Sequence, residues 1–390
     1  MAVVKISSSK SLVNRYLILK QGHSQLNLDW TSNAKDVLNL DHALKSAPHS
    51  ETYDLGEGGT TLRFFAIYLS TFKGSWILNC KESLLKRPQS ELVDALSCLG
   101  VSLKQLSATS LHLESKGWTS GNIAIDVKDT TQVLTGLVLA AVSRGFPLKI
   151  KIRSRGLNSD YFKMTSQFLE QLGFAVEISN DVVRVAGGQK ALKLCDETIE
   201  SDWSSAAFLL VLASLKGELQ LETYADKSLQ PDAVVTSLLQ RLGASLKNVA
   251  HIENGELPYK AFELNIQKCP DLFPVLSVLA CFCEGESSLY GAPQLKNKET
   301  NRIEKVYELL TDCGYEVEKR TDGLVVQGKG LVLQNLKTIS FDASKDHRLY
   351  MACELLSAMG YKMNVTGEES IYKSFAEYEE LKRGALACFF

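Results

Sequence analysis

Charged residues stand where this sequence starts a helix or turns sharply, and their types suit the handling of anions and protons. Ser9-Lys10-Ser11-Leu12-Val13-Asn14-Arg15 puts a lysine and an arginine five apart at a helix start. A helix N-terminus offers unpaired N–H groups, to which Ser11 adds a hydroxyl and Lys10 and Arg15 add charge. The segment reads as an anion site or as a solvated helix face. Leu55-Gly56-Glu57-Gly58-Gly59-Thr60-Thr61-Leu62-Arg63 is a glycine-rich turn feeding an apolar helix. Such turns let backbone approach a phosphate or carboxylate closely, although the spacing is not that of a nucleotide P-loop. Lys86-Arg87-Pro88 and Thr130-Thr131-Gln132 add further donors.

In the second half, Pro270-Asp271-Leu272-Phe273-Pro274 sets a carboxylate before an apolar helix, as a plain N-cap or as a proton acceptor. Lys298-Glu299-Thr300-Asn301-Arg302 places Glu299 and Arg302 at the spacing of an i,i+3 helix pair or of a site. Asp346-His347-Arg348 precedes another apolar helix, and Lys373-Ser374-Phe375 supplies a last lysine. His347 fits a supporting place better than a catalytic one.

The elements that position these residues repeat. Amphipathic helices close on Gly100, Gly173, Gly243 and Gly314, at intervals of 73, 70 and 71 residues. A second series of apolar, small-residue helices closes on Gly74, Gly145, Gly217, Gly285 and Gly360, at intervals of 71, 72, 68 and 75. Glycine just past a helix end takes the left-handed conformation without strain, which predicts that conformation in both series. Strand-like runs such as 147–154 and 218–224 follow the apolar helices, and hairpins turn at Ser179–Asp181 and Asp322–Gly323. Each unit of about 70 residues therefore reads β-α-β-α-β-β, with the apolar helix buried all round and the charged one outside.

A chain of 390 residues favours two domains. Its net charge of −2 provides no global field for nucleic acid or an anionic membrane. The nine cysteines lack C-x-x-C spacing and fit a reducing cytosol better than zinc. The N-terminal residues contain no apolar stretch of signal-peptide length. The apolar runs 133–142 and 206–215 fall short of the roughly 20 residues a membrane span needs.

In their order and intervals these segments resemble the 5-enolpyruvylshikimate-3-phosphate synthase family, whose pattern runs SKSxxNR, LGNAGTxxR, RP, SSQ, PD, KExDR, DHR and KSFP or KTFP. The resemblance extends from Lys10 to Phe375. It implies an α/β fold of two pseudo-symmetric domains, each of three β-α-β-α-β-β repeats around inward-facing helices, an inside-out α/β barrel. The expected domains are 9–199 and 1–8 plus 200–390, with hinges near 8–10 and 197–201 and a cleft that closes on substrate. The implied reaction moves the enolpyruvyl group of phosphoenolpyruvate onto shikimate 3-phosphate, in a cytoplasmic monomer with no metal or organic cofactor.

By the same resemblance, Lys10, Ser11, Arg15, Thr130, Thr131, Gln132, Asn158, Tyr161, Asp271, Gln294 and Lys298 would hold shikimate 3-phosphate. Lys10, Gly59, Arg87, Gln132, Arg302, Arg348 and Lys373 would hold phosphoenolpyruvate. Lys10, Asp271, Glu299 and Lys373 would be catalytic, Asp271 as base and Glu299 in proton transfer at the methylene carbon. Both substrates are multiply anionic, so several cations are needed to bring them together.

The sequence departs from the family pattern in places. Glu57 replaces an Asn, Thr61 and Phe64 replace a small residue and Pro, and Thr130-Thr131 stands for Ser-Ser. Asn158-Ser159-Asp160 replaces Ser-Lys/Arg-Pro, Gln294 an Asn, and Ala376 a Pro. A chain of 390 residues is also short for the family, which implies trimmed loops. Two alternatives stand beside the main reading. The sister enzyme acting on UDP-N-acetylglucosamine has a reactive loop cysteine, for which Cys80 and Cys98 are the nearest candidates. A non-catalytic anion-binding relative is the other.

Overall fold

The computed structural model describes residues 1–127, 130–153, 160–190 and 197–389. The chain forms two compact units, one of Ser8–Ile199 and the other of Met1–Ser7 with Glu200–Phe390.

Within Ser8–Ile199, one four-stranded sheet runs Thr52–Asp54, Lys73–Asn79, Ser110–Lys116, Ser102–Gln105. Its first two strands are parallel and the rest antiparallel. The helix Gly59–Leu69 connects the parallel pair, and Ser90–Cys98 leads into the hairpin. The second sheet repeats this with Asn122–Ile125, Leu148–Ile152, Val182–Val185 and Val176–Ser179, served by the helices Gln132–Arg144 and Asp160–Gln171. In the other unit, Ala2–Val4, Glu218–Leu221, His251–Glu253 and Ser245–Asn248 form one such sheet. Glu263–Asn265, Glu284–Tyr290, Leu324–Lys329 and Glu316–Lys319 form the next.

The third repeat of each unit is shorter than expected. Leu28–Asp29 pairs in parallel only with Glu197–Thr198, and Ile339–Asp342 only with Met363–Thr366. Each keeps two helices, Lys10–Lys20 with Lys35–Ser46 and His347–Ala358 with Tyr378–Cys388. Among the described residues neither has the closing hairpin.

The two helix series separate by burial as the periodicity predicts. Every residue from Val133 to Ser143, Trp203 to Leu215 and Phe273 to Cys281 is buried. Each large apolar side chain so enclosed contributes about 1.5–3 kcal/mol. In Arg302–Asp312 only Arg302, Ile303, Val306, Leu309 and Leu310 are buried, one face of a 3.6-residue period.

The glycines obey two different rules. Gly100, Gly173, Gly243 and Gly314 all have φ between +79° and +111°, as expected past a helix end. The apolar series does not follow uniformly. Gly217 is extended at φ −175°, and a Cβ there would strike the Phe389 ring. Gly74 lies inside a strand under the Trp76 indole. Those two are glycine for lack of room, not for backbone conformation. Among the described residues no helix is long and apolar enough to cross a membrane.

Candidate active site

In the Ser8–Ile199 unit, Ser9 caps the Lys10–Lys20 helix by accepting from the Leu12 N–H at 3.5 Å. Lys10 is thereby held in the first turn, with Nζ 3.1 Å from Oδ2 of Asp36. Asp36 is buried in the first turn of Lys35–Ser46, and its backbone carbonyl accepts from Thr61 Oγ1 at 2.7 Å. The glycine-rich turn lies against this pair: a Cβ on Gly58 would sit 2.7 Å from Asp36 Oδ1. One on Gly59 would sit 2.8 Å from Arg63 Nη1 and 3.4 Å from Arg87 Nη1. Glycine at both positions is what lets backbone, carboxylate and guanidinium groups crowd together.

Gln132 is fixed at both ends of its amide. Its Oε1 accepts from Arg63 Nη1 at 2.7 Å, and its Nε2 donates to Thr60 Oγ1 at 2.8 Å. Thr130 Oγ1 accepts the Gln132 N–H at 3.1 Å, which seats the Gln132–Arg144 helix. Arg63 Nη2 also donates to the Pro88 carbonyl, 3.2 Å away, beside Arg87. The Gly59, Arg87 and Gln132 predicted from sequence thus lie around Arg63, which the sequence reading quoted without a role.

Arg15 is 4% exposed and donates to Thr165 Oγ1 at 2.9 Å, the Ser11 carbonyl at 2.6 Å and the Tyr161 carbonyl at 3.1 Å. All three acceptors are neutral. Burial pulls its pKa down, since water is removed from a cation without a carboxylate in exchange. A buried guanidinium in this condition favours an anion beside it. Arg15 brings Ser11 and Tyr161 together; Thr131 adjoins Thr130 at the helix start, and Asn158 lies outside the described residues.

In the other unit, four cations and three carboxylates interlock. Arg302 is 1% exposed. It donates from Nη1 to Asp271 Oδ1 at 2.9 Å, from Nη2 to Glu299 Oε2 at 3.0 Å, and from Nε to Asp346 Oδ2 at 2.9 Å. Arg348 Nη2 lies 3.1 Å from Asp271 Oδ2, and Lys298 Nζ lies 3.4 Å from Asp271 Oδ1. Lys373 Nζ lies 2.9 Å from Glu299 Oε1. The cluster of Lys298, Arg302, Arg348 and Lys373 against Asp271, Glu299 and Asp346 retains one net positive charge.

Burial opposes the charge on Asp271, but Arg348, Lys298 and Arg302 together outweigh it and hold the carboxyl well below the usual carboxylate range. Burial likewise works against the charges of Arg302 and Arg348. Asp346, Glu299 and Asp271 overcome it for Arg302, and Asp271 chiefly for Arg348, so both pKa values rise. Asp271 gives no side-chain cap to the Phe273–Cys281 helix, which sets the plain N-cap reading aside. The Glu299–Arg302 pair does form, as one edge of the larger cluster. Gln294 lies half-buried on the turn Pro293–Asn297, four residues before Lys298.

Asp346 organises the cluster, a role that its motif position beside His347 and Arg348 does not reveal. It is fully buried, accepts from Arg302 through both oxygens, at 2.9 and 3.3 Å, and accepts from Thr300 Oγ1 at 3.2 Å. It also caps the His347–Ala358 helix through the Arg348 N–H at 3.0 Å. Asp36 was missed altogether. Its only local signal is a carboxylate in a helix first turn, a common place for any acid.

The architecture is that of the enolpyruvyl transferases. The EPSP synthase of Acinetobacter baumannii superposes with a TM-score of 0.73 at 20% identity, over 98% of this chain and 95% of that one. The enolpyruvyl transferase NikO from Streptomyces tendae superposes with 0.68 at 14% identity, over 98% and 94%. The family model for EPSP synthase (3-phosphoshikimate 1-carboxyvinyltransferase) matches residues 21–381, and the chain belongs to that family of transferases. Among its relatives is the 3-phosphoshikimate 1-carboxyvinyltransferase of Methanocaldococcus jannaschii, 29% identical over 339 residues, 85% of this chain and 78% of that one. Another is that of Korarchaeum cryptofilum, 29% identical over 341 residues, again 85% and 78%.

Proposed function

We propose that this chain transfers the enolpyruvyl group of phosphoenolpyruvate to the 5-hydroxyl of shikimate 3-phosphate, releasing phosphate by addition and elimination. The observation that carries the reading is the convergence of Lys298, Arg302, Arg348 and Lys373 on Asp271 and Glu299. Asp271 takes the hydroxyl proton as the oxygen attacks C2 of phosphoenolpyruvate, and Glu299 delivers a proton to C3. The tetrahedral intermediate then returns a C3 proton to Glu299 and expels phosphate by cleavage of the C2–O bond, the departing oxygen taking up the proton that Asp271 removed from the hydroxyl. Arg302 and Arg348 hold the carboxylate, while Lys10, Arg87 and Lys373 meet the phosphate charge. Arg15, Ser11, Thr130, Thr131, Gln132, Asn158, Tyr161, Gln294 and Lys298 hold shikimate 3-phosphate, with Gly59 leaving room beside Arg87.

The sister reaction on UDP-N-acetylglucosamine is less well supported. Cys80 is buried and its thiol is pushed up to about 12, chiefly by burial, which suits packing and not nucleophilic attack. We read the enzyme as a cytoplasmic monomer, the compartment resting on the free, mostly buried thiols among the described cysteines. The test is phosphate release by the purified chain. Release should require both shikimate 3-phosphate and phosphoenolpyruvate, and UDP-N-acetylglucosamine should not replace the former. No release from folded protein would overturn the proposal.

A further inference from the structure

Two arginines grip opposite oxygens of Asp271. Arg302 Nη1 stands 2.9 Å from Oδ1 and Arg348 Nη2 stands 3.1 Å from Oδ2. One guanidinium on each oxygen is how a pair of arginines holds a carboxylate ligand. The arrangement is anchored from behind, because the buried Asp346 engages Arg302 Nε and Nη2 and the Arg348 backbone N–H. Arg302 therefore presents Nη1 forward, to Asp271. The proposed reaction asks the same two arginines to bind the carboxylate of phosphoenolpyruvate, and the donors that face Asp271 are the ones available for it.

We infer that Asp271 occupies the place of the substrate carboxylate until phosphoenolpyruvate arrives, so that loading the site is what releases Asp271 to act as a base. The inference rests on the proposed reaction and adds an order of events to it. While Arg302, Arg348 and Lys298 face Asp271, its carboxylate is a weak proton acceptor, although burial and the nearby Glu299 act in the opposite sense. Arg348 also faces Asp232 and Asp202, which remain with it when Asp271 leaves. An incoming carboxylate takes over the guanidinium donors, and the freed Asp271 then accepts the proton of the 5-hydroxyl. Proton abstraction is thereby coupled to the presence of the second substrate.

An alternative assigns Asp271 the task of ordering the arginines, and the two accounts differ in sign. For Asp271→Asn, which keeps shape and removes the competing charge, we expect phosphoenolpyruvate alone to bind about tenfold more tightly, with turnover lost. Calorimetric titration of wild type and variant measures this, and equal or weaker binding by the variant overturns the inference. Should the variant fail to fold, carbon-13 NMR of aspartate-labelled wild type provides the check. The Asp271 carboxyl should titrate at least about one unit higher with phosphoenolpyruvate bound than without it. Bound phosphoenolpyruvate with an unmoved Asp271 sinks this inference alone. Absence of phosphoenolpyruvate binding to the wild type sinks the proposed function and this inference together.

Discussion

Replacing Asp346 by alanine should destabilise the fold of its unit strongly. The side chain is fully buried and receives two donors of Arg302, the Thr300 hydroxyl and the Arg348 N–H. Removing one partner of a buried ion pair costs about 3–5 kcal/mol, because the other charge is left without compensation. Arg302 keeps Asp271 and Glu299, so the lower end applies, about 3 kcal/mol. Loss of the cap on His347–Ala358 adds about 1 kcal/mol. The expected total is about 4 kcal/mol for Asp346→Ala and about 3 kcal/mol for Asp346→Asn, which loses the same charge but retains the cap. Urea denaturation followed by circular dichroism tests this. With a slope of about 2–3 kcal/mol per molar, the midpoint of the affected unit should fall by about 1.5 M for alanine. A loss below about 1 kcal/mol for alanine, or an asparagine variant as stable as wild type, would refute the claim that Asp346 acts through charge on Arg302.

Gly59→Ala should still fold, at a cost of about 1–3 kcal/mol, because the new methyl would lie 2.8 Å from Nη1 of the buried Arg63 and push it from its bonds to Gln132 and Pro88. Displacing the Arg63 and Arg87 guanidinium groups should raise the KM for phosphoenolpyruvate about tenfold in steady-state kinetics, and an unchanged KM would remove Arg87 from the site. Acid stability should also respond to Asp271. Its folded pKa lies well below the ordinary 3.8, so its contribution is complete above that value and is lost as pH falls through the folded pKa. Thermal melts of Asp271→Asn should therefore decline less steeply below about pH 4 than those of wild type, and parallel curves would contradict the shift.

The motif residues that gather in the structure were legible because each sits at a helix start or a turn, where sequence signals are sharpest. Lys10, Gly59, Gln132, Asp271, Arg302 and Arg348 are all of this kind. Their supports were harder to see. Asp36 lies 26 positions from Lys10 and Thr165 lies 150 from Arg15, so neither pairing has a local spacing. Asp346 was visible as a cap, but its grip on Arg302 spans 44 positions. The shortened third repeats escaped for a related reason. The helices survive where the hairpin does not, although Lys35–Ser46 and Tyr378–Cys388 lack the closing glycine that marks the other outer helices. The glycine series itself mixed two causes, backbone conformation at Gly243 and a facing ring at Gly217, which a sequence interval cannot separate.

The short strand Ala2–Val4 lies beside Glu218–Leu221, with Ala2 opposite Leu219, 217 positions further along the chain. On the ribosome this strand emerges before Ser8–Ile199 and waits while all of that unit is made before its partner appears. Synthesis proceeds at roughly 5–20 residues per second, so the delay is on the order of ten seconds or more. Ala2 and Val4, buried in the finished fold, must pass that interval without the neighbours that later cover them. Three residues are too few to form a stable edge by themselves. Their brevity limits what the waiting strand offers to other nascent chains.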